Sequence, residues 1–137
     1  MKKTEYYKND VIRAVYSLDK NGEFHGRYMT FHENGNIYTV CRFEHGKQTG
    51  REVSFYKNGR LCRKCTFKND KLEGHMEEYF SNGKKARDLF FRDGMIDGIC
   101  EIFYYDGSVY KRSIYSDGVE SRILEYNGTP IRLNMDY

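Results

Sequence analysis

The chain has 137 residues, enough for one domain or a short repeat array, and it carries a net charge of +3. The charge is spread along the chain and forms no basic stripe, which argues against a nucleic-acid partner. Tyr and Phe make up 16% of the residues, which argues against disorder and favours strands, where aromatic side chains pack well.

The N-terminal segment gives no sign of export or of a membrane anchor. Lys2 and Lys3 are not followed by an apolar run, so a signal peptide is not predicted. No stretch of the chain approaches the roughly 20 apolar residues that a membrane span requires. The sequence therefore predicts a cytoplasmic protein.

Residues 1–25 contain the first copy of a turn pattern that returns downstream. In Tyr6-Tyr7-Lys8-Asn9-Asp10, Asp10 stands where later copies have Gly, and the outgoing turn is one residue longer. Regular copies follow every 24 residues, at Phe31-His32-Glu33-Asn34-Gly35, Phe55-Tyr56-Lys57-Asn58-Gly59, Tyr79-Phe80-Ser81-Asn82-Gly83 and Phe103-Tyr104-Tyr105-Asp106-Gly107. Asn-Gly or Asp-Gly between apolar runs indicates a hairpin, because the turn needs residues that tolerate positive φ.

A second turn recurs in the same register. It follows an aromatic residue in each unit and occupies His45-Gly46, Asn69-Asp70, Asp93-Gly94 and Asp117-Gly118. Asp70 replaces the glycine that the other three turns carry. Four copies at one period predict a repeat protein built from β-hairpins.

We therefore predict an all-β fold, an elongated antiparallel meander of 24-residue β-hairpin repeats in an open, twisted and curled sheet. Within this single domain, residues 1–25 form a degenerate N-terminal repeat, 26–121 form four regular repeats and 122–137 form a C-terminal cap. Pro130 suits an edge strand in that cap, because its missing N–H costs no ladder bond there.

Charges within each hairpin favour a three-residue loop such as Lys57-Asn58-Gly59. A two-residue loop would place Glu77 opposite Asp88, and like charges directly across strands are destabilising. The three-residue loop instead predicts the charge pairs Glu77 with Arg87, Glu101 with Lys111 and Glu52 with Lys64. It also pairs Phe31 with Ile37, Phe55 with Leu61 and Phe103 with Val109.

This register divides the side chains between two faces of the sheet. The predicted core face is regular and consists of Phe31, Ile37, Cys41, Phe43, Phe55, Leu61, Cys65, Phe67, Tyr79, Leu89, Phe91, Phe103, Val109 and Tyr115. The other face varies, and its candidate partner-binding residues are Tyr56, Phe80, Phe90, Ile102, Tyr104 and Tyr110. Two alternatives stay open for this apolar patch: a second core layer covered by residues 123–137, or a homodimer contact.

The four cysteines are predicted to be reduced thiols that pack as small hydrophobic side chains. Cys41 and Cys65 occupy equivalent positions two strands apart, about 9.6 Å, which exceeds the limit of about 7 Å between the Cα atoms of a disulfide. Cys62 and Cys65 have C-x-x-C spacing, but a strand points these positions to opposite faces, and no second C-x-x-C exists.

The sequence predicts no catalytic residues, no metal site and no cofactor. The four histidines fall at different repeat positions, and none has ligand-like spacing from another His or Cys. No glycine-rich loop leads from a strand into a helix, as a phosphate-binding loop would. Glu77 and Glu78 are interpreted as solvated side chains of the sheet. The chain is therefore predicted not to be an enzyme.

The pattern G-x4-[FY]-x2-[ND]-G-x7-[FY], carried by Gly26, Phe31, Asn34, Gly35 and Phe43 and their equivalents, resembles the MORN repeat family. It is closest to the bacterial variant form, whose proteins are often grouped as YwqK-like antitoxins. The resemblance covers residues 22–121 closely and both ends loosely. It implies a hairpin repeat with antitoxin-like roles, whereas eukaryotic relatives imply membrane-lipid binding, scaffolding and dimer formation.

Two functions follow as expectations. The first is a non-enzymatic protein binder, an antitoxin, immunity protein or other small inhibitor that neutralises a toxin or enzyme, since Tyr and Phe give contact area at low entropic cost. The alternative is a module that binds membrane lipid or acts as a scaffold. Each Lys or Arg contributes only ~1 kcal/mol near an anionic lipid surface, and Glu and Asp alternate with the basic residues here.

Overall fold

The computed structural model describes residues 1–128, and all 14 strands within them belong to one antiparallel sheet. The strands are β1 (Lys2–Tyr6), β2 (Ile12–Ser17), β3 (Gly26–Phe31), β4 (Ile37–Glu44), β5 (Lys47–Gln48), β6 (Gly50–Phe55), β7 (Leu61–Lys68), β8 (Lys71–Leu72), β9 (Gly74–Tyr79), β10 (Lys85–Arg92), β11 (Met95–Ile96), β12 (Gly98–Phe103), β13 (Val109–Ser116) and β14 (Val119–Tyr126). The described residues include no helix with the length and apolar character of a membrane span.

The sheet is an open meander that follows the order of the chain. Its path runs β1-β2-β3-β4-β6-β7-β9-β10-β12-β13-β14, and the two-residue strands β5, β8 and β11 pair beside β4, β7 and β10. The predicted all-β antiparallel meander of 24-residue hairpins is confirmed. The predicted C-terminal cap extends past residue 128, so part of it, including Pro130, lies outside the described residues.

Each hairpin closes through a three-residue loop whose last residue has positive φ. Between β6 and β7, Tyr56 N donates to Arg60 O over 2.8 Å, and Gly59 N donates to Tyr56 O over 2.9 Å. Asn58 Oδ1 accepts a further hydrogen bond from Arg60 N at 2.9 Å. Gly59 has a φ of 88°, which residues with a side chain rarely adopt. The predicted three-residue loop is therefore confirmed.

One extra residue in the second strand of each hairpin shifts the register just beyond the loop. Phe55 lies opposite Leu61, as predicted, but Ser54 lies opposite Arg63, so Cys62 is the extra residue. The same β-bulge recurs at Arg13, Tyr38, Ala86 and Tyr110. Because side chains alternate along a strand, the bulge changes which face the later residues occupy.

The predicted charge pairs are wrong by one position because of this bulge. Glu77 lies opposite Asp88 rather than Arg87, and Lys85 Nζ lies 3.3 Å from Glu77 Oε2 and 2.9 Å from Asp88 Oδ2. This lysine compensates the two like charges. Likewise, Glu52 lies opposite Cys65 rather than Lys64, and Glu101 lies opposite Arg112 rather than Lys111. The ion pairs that form are Arg63 with Glu52, Arg87 with Glu78 and Arg112 with Glu101.

Two-residue turns follow β4, β7, β10 and β13, whereas the link after β2 is longer. His45 and Gly46 have φ of 45° and 83°, the left-handed pair of a type I′ turn. Asn69 and Asp70 adopt 48° and 68°, so the turn forms although Asp70 is not glycine. Asp70 Oδ1 also accepts a hydrogen bond from Gln48 N at 2.7 Å, which stabilises this turn against the preceding unit.

One face of the sheet holds the hydrophobic core. Its cluster of buried residues consists of Cys65, Met76, Leu89, Phe91 and Cys100, with Phe67, Leu72, Ile96, Ile102 and Tyr115 packed against them. The prediction that all aromatic repeat positions share this face is wrong. The bulge separates Phe31, Ile37, Phe55, Leu61, Tyr79, Phe103 and Val109 from it, and these residues lie half-buried or exposed on the opposite face.

The loop geometry predicts a strong effect of Gly59→Val. A β-branched residue is disfavoured at a φ of 88°, so we expect a loss of about 1–3 kcal/mol in the free energy of unfolding. Chemical denaturation followed by circular dichroism measures it. Lys57→Val in the same loop is the matched control, because Lys57 is exposed and has no positive φ. Equal losses in the two variants would contradict this account of the turn.

Burial predicts unequal reactivity of the four thiols. Cys41, Cys65 and Cys100 are buried and Cys62 is half-buried, and none forms a disulfide. Burial raises the pKa of Cys41 and of Cys65 to about 11. At pH 8 roughly one in a thousand of these thiols is then ionised, and the thiolate is the reactive form.

We therefore expect a disulfide reagent such as DTNB to modify one thiol per folded chain quickly at pH 8. All four thiols should react at once in denaturant. Cys62→Ser should remove the fast phase and leave the slow one unchanged. Two or more fast thiols in the folded protein would contradict the burial described above.

Candidate functional site

A groove of about 360 Å³ opens on the core face between the β9–β10 and β12–β13 hairpins. Ala86 lines it, at the bulge position that holds Tyr38, Cys62 and Tyr110 in the other regular units. A hollow of about 490 Å³ lies at the equivalent place one unit earlier, where Tyr38 and Cys62 contribute to the lining. The groove is lined by Tyr56, Glu78, Tyr79, Phe80, Ser81, Ala86, Arg87, Ile102 and Tyr105.

Five of the six predicted partner-binding residues share one face, and the groove contains three of them. Tyr56, Phe80 and Ile102 line it. Tyr104 and Tyr110 belong to the next unit, where their ring centroids lie 5.3 Å apart. Phe90 lies on the opposite face, against His75, because the bulge at Ala86 changes the alternation of β10. The sequence placed all six on the face opposite the core. That prediction is wrong for Phe80 and Ile102, which pack with the core, and for Tyr56, Tyr104 and Tyr110 on the same face, whereas Phe90 does lie opposite the core.

Phe80 forms the floor of the groove and Tyr105 one of its walls. Phe80 is only 3% exposed, whereas Tyr105 is 52% exposed, and their ring centroids lie 5.2 Å apart in a tilted arrangement. Phe80 therefore serves the core. Tyr105, which the sequence did not single out, offers the accessible aromatic surface.

The ladder of aromatic residues that includes Tyr56 and Tyr104 hydrogen-bonds one unit to the next at four of its five positions, and the fifth residue, Phe80, has no polar side-chain atom. The Tyr7 hydroxyl donates to Phe31 O at 2.6 Å, the Tyr56 hydroxyl to Tyr79 O, and the Tyr104 hydroxyl to Asn127 O at 2.9 Å. At the fourth such position, His32 Nε2 bonds Phe55 O at 2.8 Å. Burial, and to a smaller extent a hydrogen bond with the Cys62 side chain, raises the pKa of Tyr56 to about 12. These hydroxyls are engaged within the fold, so Tyr56 and Tyr104 have a structural role.

Charged side chains at the groove are held in a fixed pair. Arg87 Nη2 lies 2.6 Å from Glu78 Oε1, on strands that are directly paired. In the preceding unit Arg63 forms an ion pair with Glu52, which lies two residues along the neighbouring strand from the residue opposite Arg63. The groove therefore combines aromatic walls with one polar edge on which both a positive and a negative group are available.

The fold also brings together three residues that the sequence left apart. Histidine spacing along the chain predicts no metal site, yet one ligand atom each from Asp19, His25 and His45 lies within 4.8 Å of the others. Two consecutive linking turns place them there. Only their positions next to turns in adjacent units could have indicated this, because their separation in sequence follows no ligand pattern.

Comparison with known protein families supports the repeat assignment. The model of the MORN repeat variant matches residues 24–45, 48–69 and 72–93. A comparison with curated proteins found no match. Each matched segment begins just before the first strand of one hairpin and ends in the next linking turn, so the family's unit coincides with the structural unit. Three consecutive hairpin units of this chain therefore match the MORN repeat variant.

Proposed function

We propose that this protein is a non-enzymatic binding module that inhibits a partner protein by holding one of its aromatic or aliphatic side chains in the groove beside Tyr105. Such a role is that of an antitoxin, an immunity protein or another small inhibitor. The observation that carries the proposal is the groove itself. It leaves a space above the buried Phe80, beside the accessible ring of Tyr105.

The size and chemistry of the groove favour a protein segment. About 360 Å³ accommodates one or two side chains, and aromatic walls with a few placed polar groups are typical of interface pockets. Ile102 and Phe80 supply apolar contact, and Tyr105 can close over an inserted side chain. Arg87 and Glu78 can bond the backbone of that segment at the rim.

The charge arrangement favours protein over anionic lipid as the partner. On this face Arg63 is paired with Glu52 and Arg87 with Glu78, each on a neighbouring strand. Attraction to an anionic membrane needs uncompensated positive charge, about 1 kcal/mol for each Lys or Arg. Lipid binding and scaffolding therefore remain the second candidate, favoured only by the repeat family.

Capture on the immobilised chain, followed by mass spectrometry, identifies the partner. The decisive variant is Tyr105→Ser, which places in this loop the residue that Ser81 provides in the preceding unit. We expect it to weaken partner binding about 10- to 100-fold in calorimetry, the range of an aromatic hot spot, with an unchanged fold. Inhibition of the partner's activity should fall in parallel.

The control is Tyr38→Ala. Tyr38 occupies the position of Ala86 two units earlier on the same face, so the variant carries a residue that the repeat already accepts there. Tyr38 is 49% exposed and stacks on His32 with ring centroids 4.4 Å apart, so it matches Tyr105 as an accessible aromatic residue outside the groove. We expect near-normal binding for this variant. Equal losses in both variants, or an unaffected Tyr105→Ser protein, would contradict the groove as the binding site.

Two further measurements separate the alternatives. Co-sedimentation with vesicles that contain phosphatidylserine should leave the protein in the supernatant at physiological salt. Light scattering after size exclusion should give a monomer whose mass is unchanged by Tyr105→Ser. Sedimentation with the vesicles would assign the module to lipid, and a dimer lost in this variant would assign the groove to self-association.

A further inference from the structure

A second site, independent of the groove, lies towards the N-terminal end of the sheet. We propose that Asp19, His25 and His45 bind a divalent transition metal ion of the Zn²⁺ class. These residues come from the turn after β2, the segment before β3 and the turn after β4. One ligand atom of each lies within 4.8 Å of the others, although Asp19 and His45 are 26 residues apart in the chain.

Asp19 is fixed by its own turn and presents one oxygen to the site. Its Oδ1 accepts hydrogen bonds from Asn21 N at 2.9 Å and Glu23 N at 3.0 Å. The other oxygen, Oδ2, lies 2.8 Å from His45 Nδ1. The side chain of Asp19 is only 8% exposed, so this carboxylate is oriented before any ion arrives.

The two imidazoles lie against each other. Their ring centroids are 4.4 Å apart, and His45 N donates to His25 Nδ1 at 3.1 Å. The side chain of His45 is 71% exposed, so it can rotate to complete a coordination shell, and water can reach the open positions.

The repeat itself shows that this turn does not need histidines. At the position equivalent to His25, Glu73 accepts the hydrogen bond from Asp93 N at 2.7 Å. In the following unit, Asp97 accepts the corresponding hydrogen bond from Asp117 N at 3.3 Å. An acceptor is all that the turn requires, so the imidazole pair beside Asp19 calls for another explanation.

The donor set and its geometry fit such an ion. Bonds of 2.0–2.1 Å in a tetrahedral site place donor atoms about 3.4 Å apart, so Asp19 Oδ2 and His45 Nδ1 need to separate by about 0.6 Å. The ion then replaces the proton between them. Two imidazoles and a carboxylate suit Zn²⁺, Co²⁺ and Ni²⁺ better than Mg²⁺ or Ca²⁺. Glu23 adds negative charge nearby, because its carboxylate lies against Gly46, the residue that follows His45.

Calorimetry with ZnCl₂ on protein without a histidine tag tests the site. We expect one ion per chain and a rise in Tm of about 5–10 °C when free Zn²⁺ exceeds Kd a hundredfold, because the ion binds the folded state. Co²⁺ should give visible absorption bands of a nitrogen and oxygen site. Mg²⁺ should produce neither effect.

Two variants use residues that other units already carry at these positions. His45→Asn copies Asn69 and tolerates the positive φ of the turn, and His25→Thr copies Thr49. Each should reduce Zn²⁺ affinity at least tenfold and leave the circular dichroism of the metal-free protein unchanged. The control His75→Asn removes an imidazole that lies 3.2 Å from Asp88 and has no third metal-ligating side chain beside it among residues 1–128, and it should bind Zn²⁺ normally.

Absence of Zn²⁺ binding by the unmodified protein would overturn the proposal. So would unchanged affinity in both His45→Asn and His25→Thr, or an equal loss in His75→Asn. If His45→Asn fails to fold, His25→Thr and the Co²⁺ spectrum of the unmodified protein decide, because both report on ligands rather than on stability.

Discussion

The β-bulge after each hairpin loop determines which side chains meet on the two faces of this sheet. A single extra residue, such as Cys62 in β7, shifts the strand pairing by one position. Phe55 still lies opposite Leu61, but Ser54 lies opposite Arg63. Aromatic residues beside the loop, such as Phe55, therefore lie on the face opposite to Cys65 and Phe67. The core forms from the residues beyond the bulge, and the groove forms at the bulge itself.

Polar side chains also connect neighbouring units, beside the strand pairing and the apolar core. Tyr56 donates its hydroxyl to a carbonyl of the next unit, Asn34 donates its amide to Lys57 O at 2.8 Å, and Lys84 Nζ reaches Asp106 O at 2.9 Å. Each donor satisfies a carbonyl that the ladder leaves open, at one repeat spacing. Stability in such an array is a sum of units and nearest-neighbour contacts, so a damaged turn weakens its neighbours first.

The two proposed sites arise from the same property of a repeat. Where the fold needs only a hydrogen-bond acceptor, several residue types can supply it, as Glu73 and Asp97 do for the linking turns. A residue that differs from its equivalents in the other units without a structural need then points to a function. Tyr105, where the other regular units have Glu33, Lys57 and Ser81, adds an accessible aromatic wall to the groove, and imidazoles at His25 and His45 assemble a set of metal ligands.

The sequence by itself determined the period, the strand order, both kinds of turn and the three-residue loop, because these depend on local backbone preferences such as the positive φ of Gly59. Only the tertiary structure decided the faces and the charge pairs. The bulge positions hold Arg13, Tyr38, Cys62, Ala86 and Tyr110, which share no chemical character, so nothing local marks them. The burial of Phe80, the opposite orientation of Phe90 and the meeting of Asp19 with His45 all follow from how neighbouring hairpins align, which no single segment encodes.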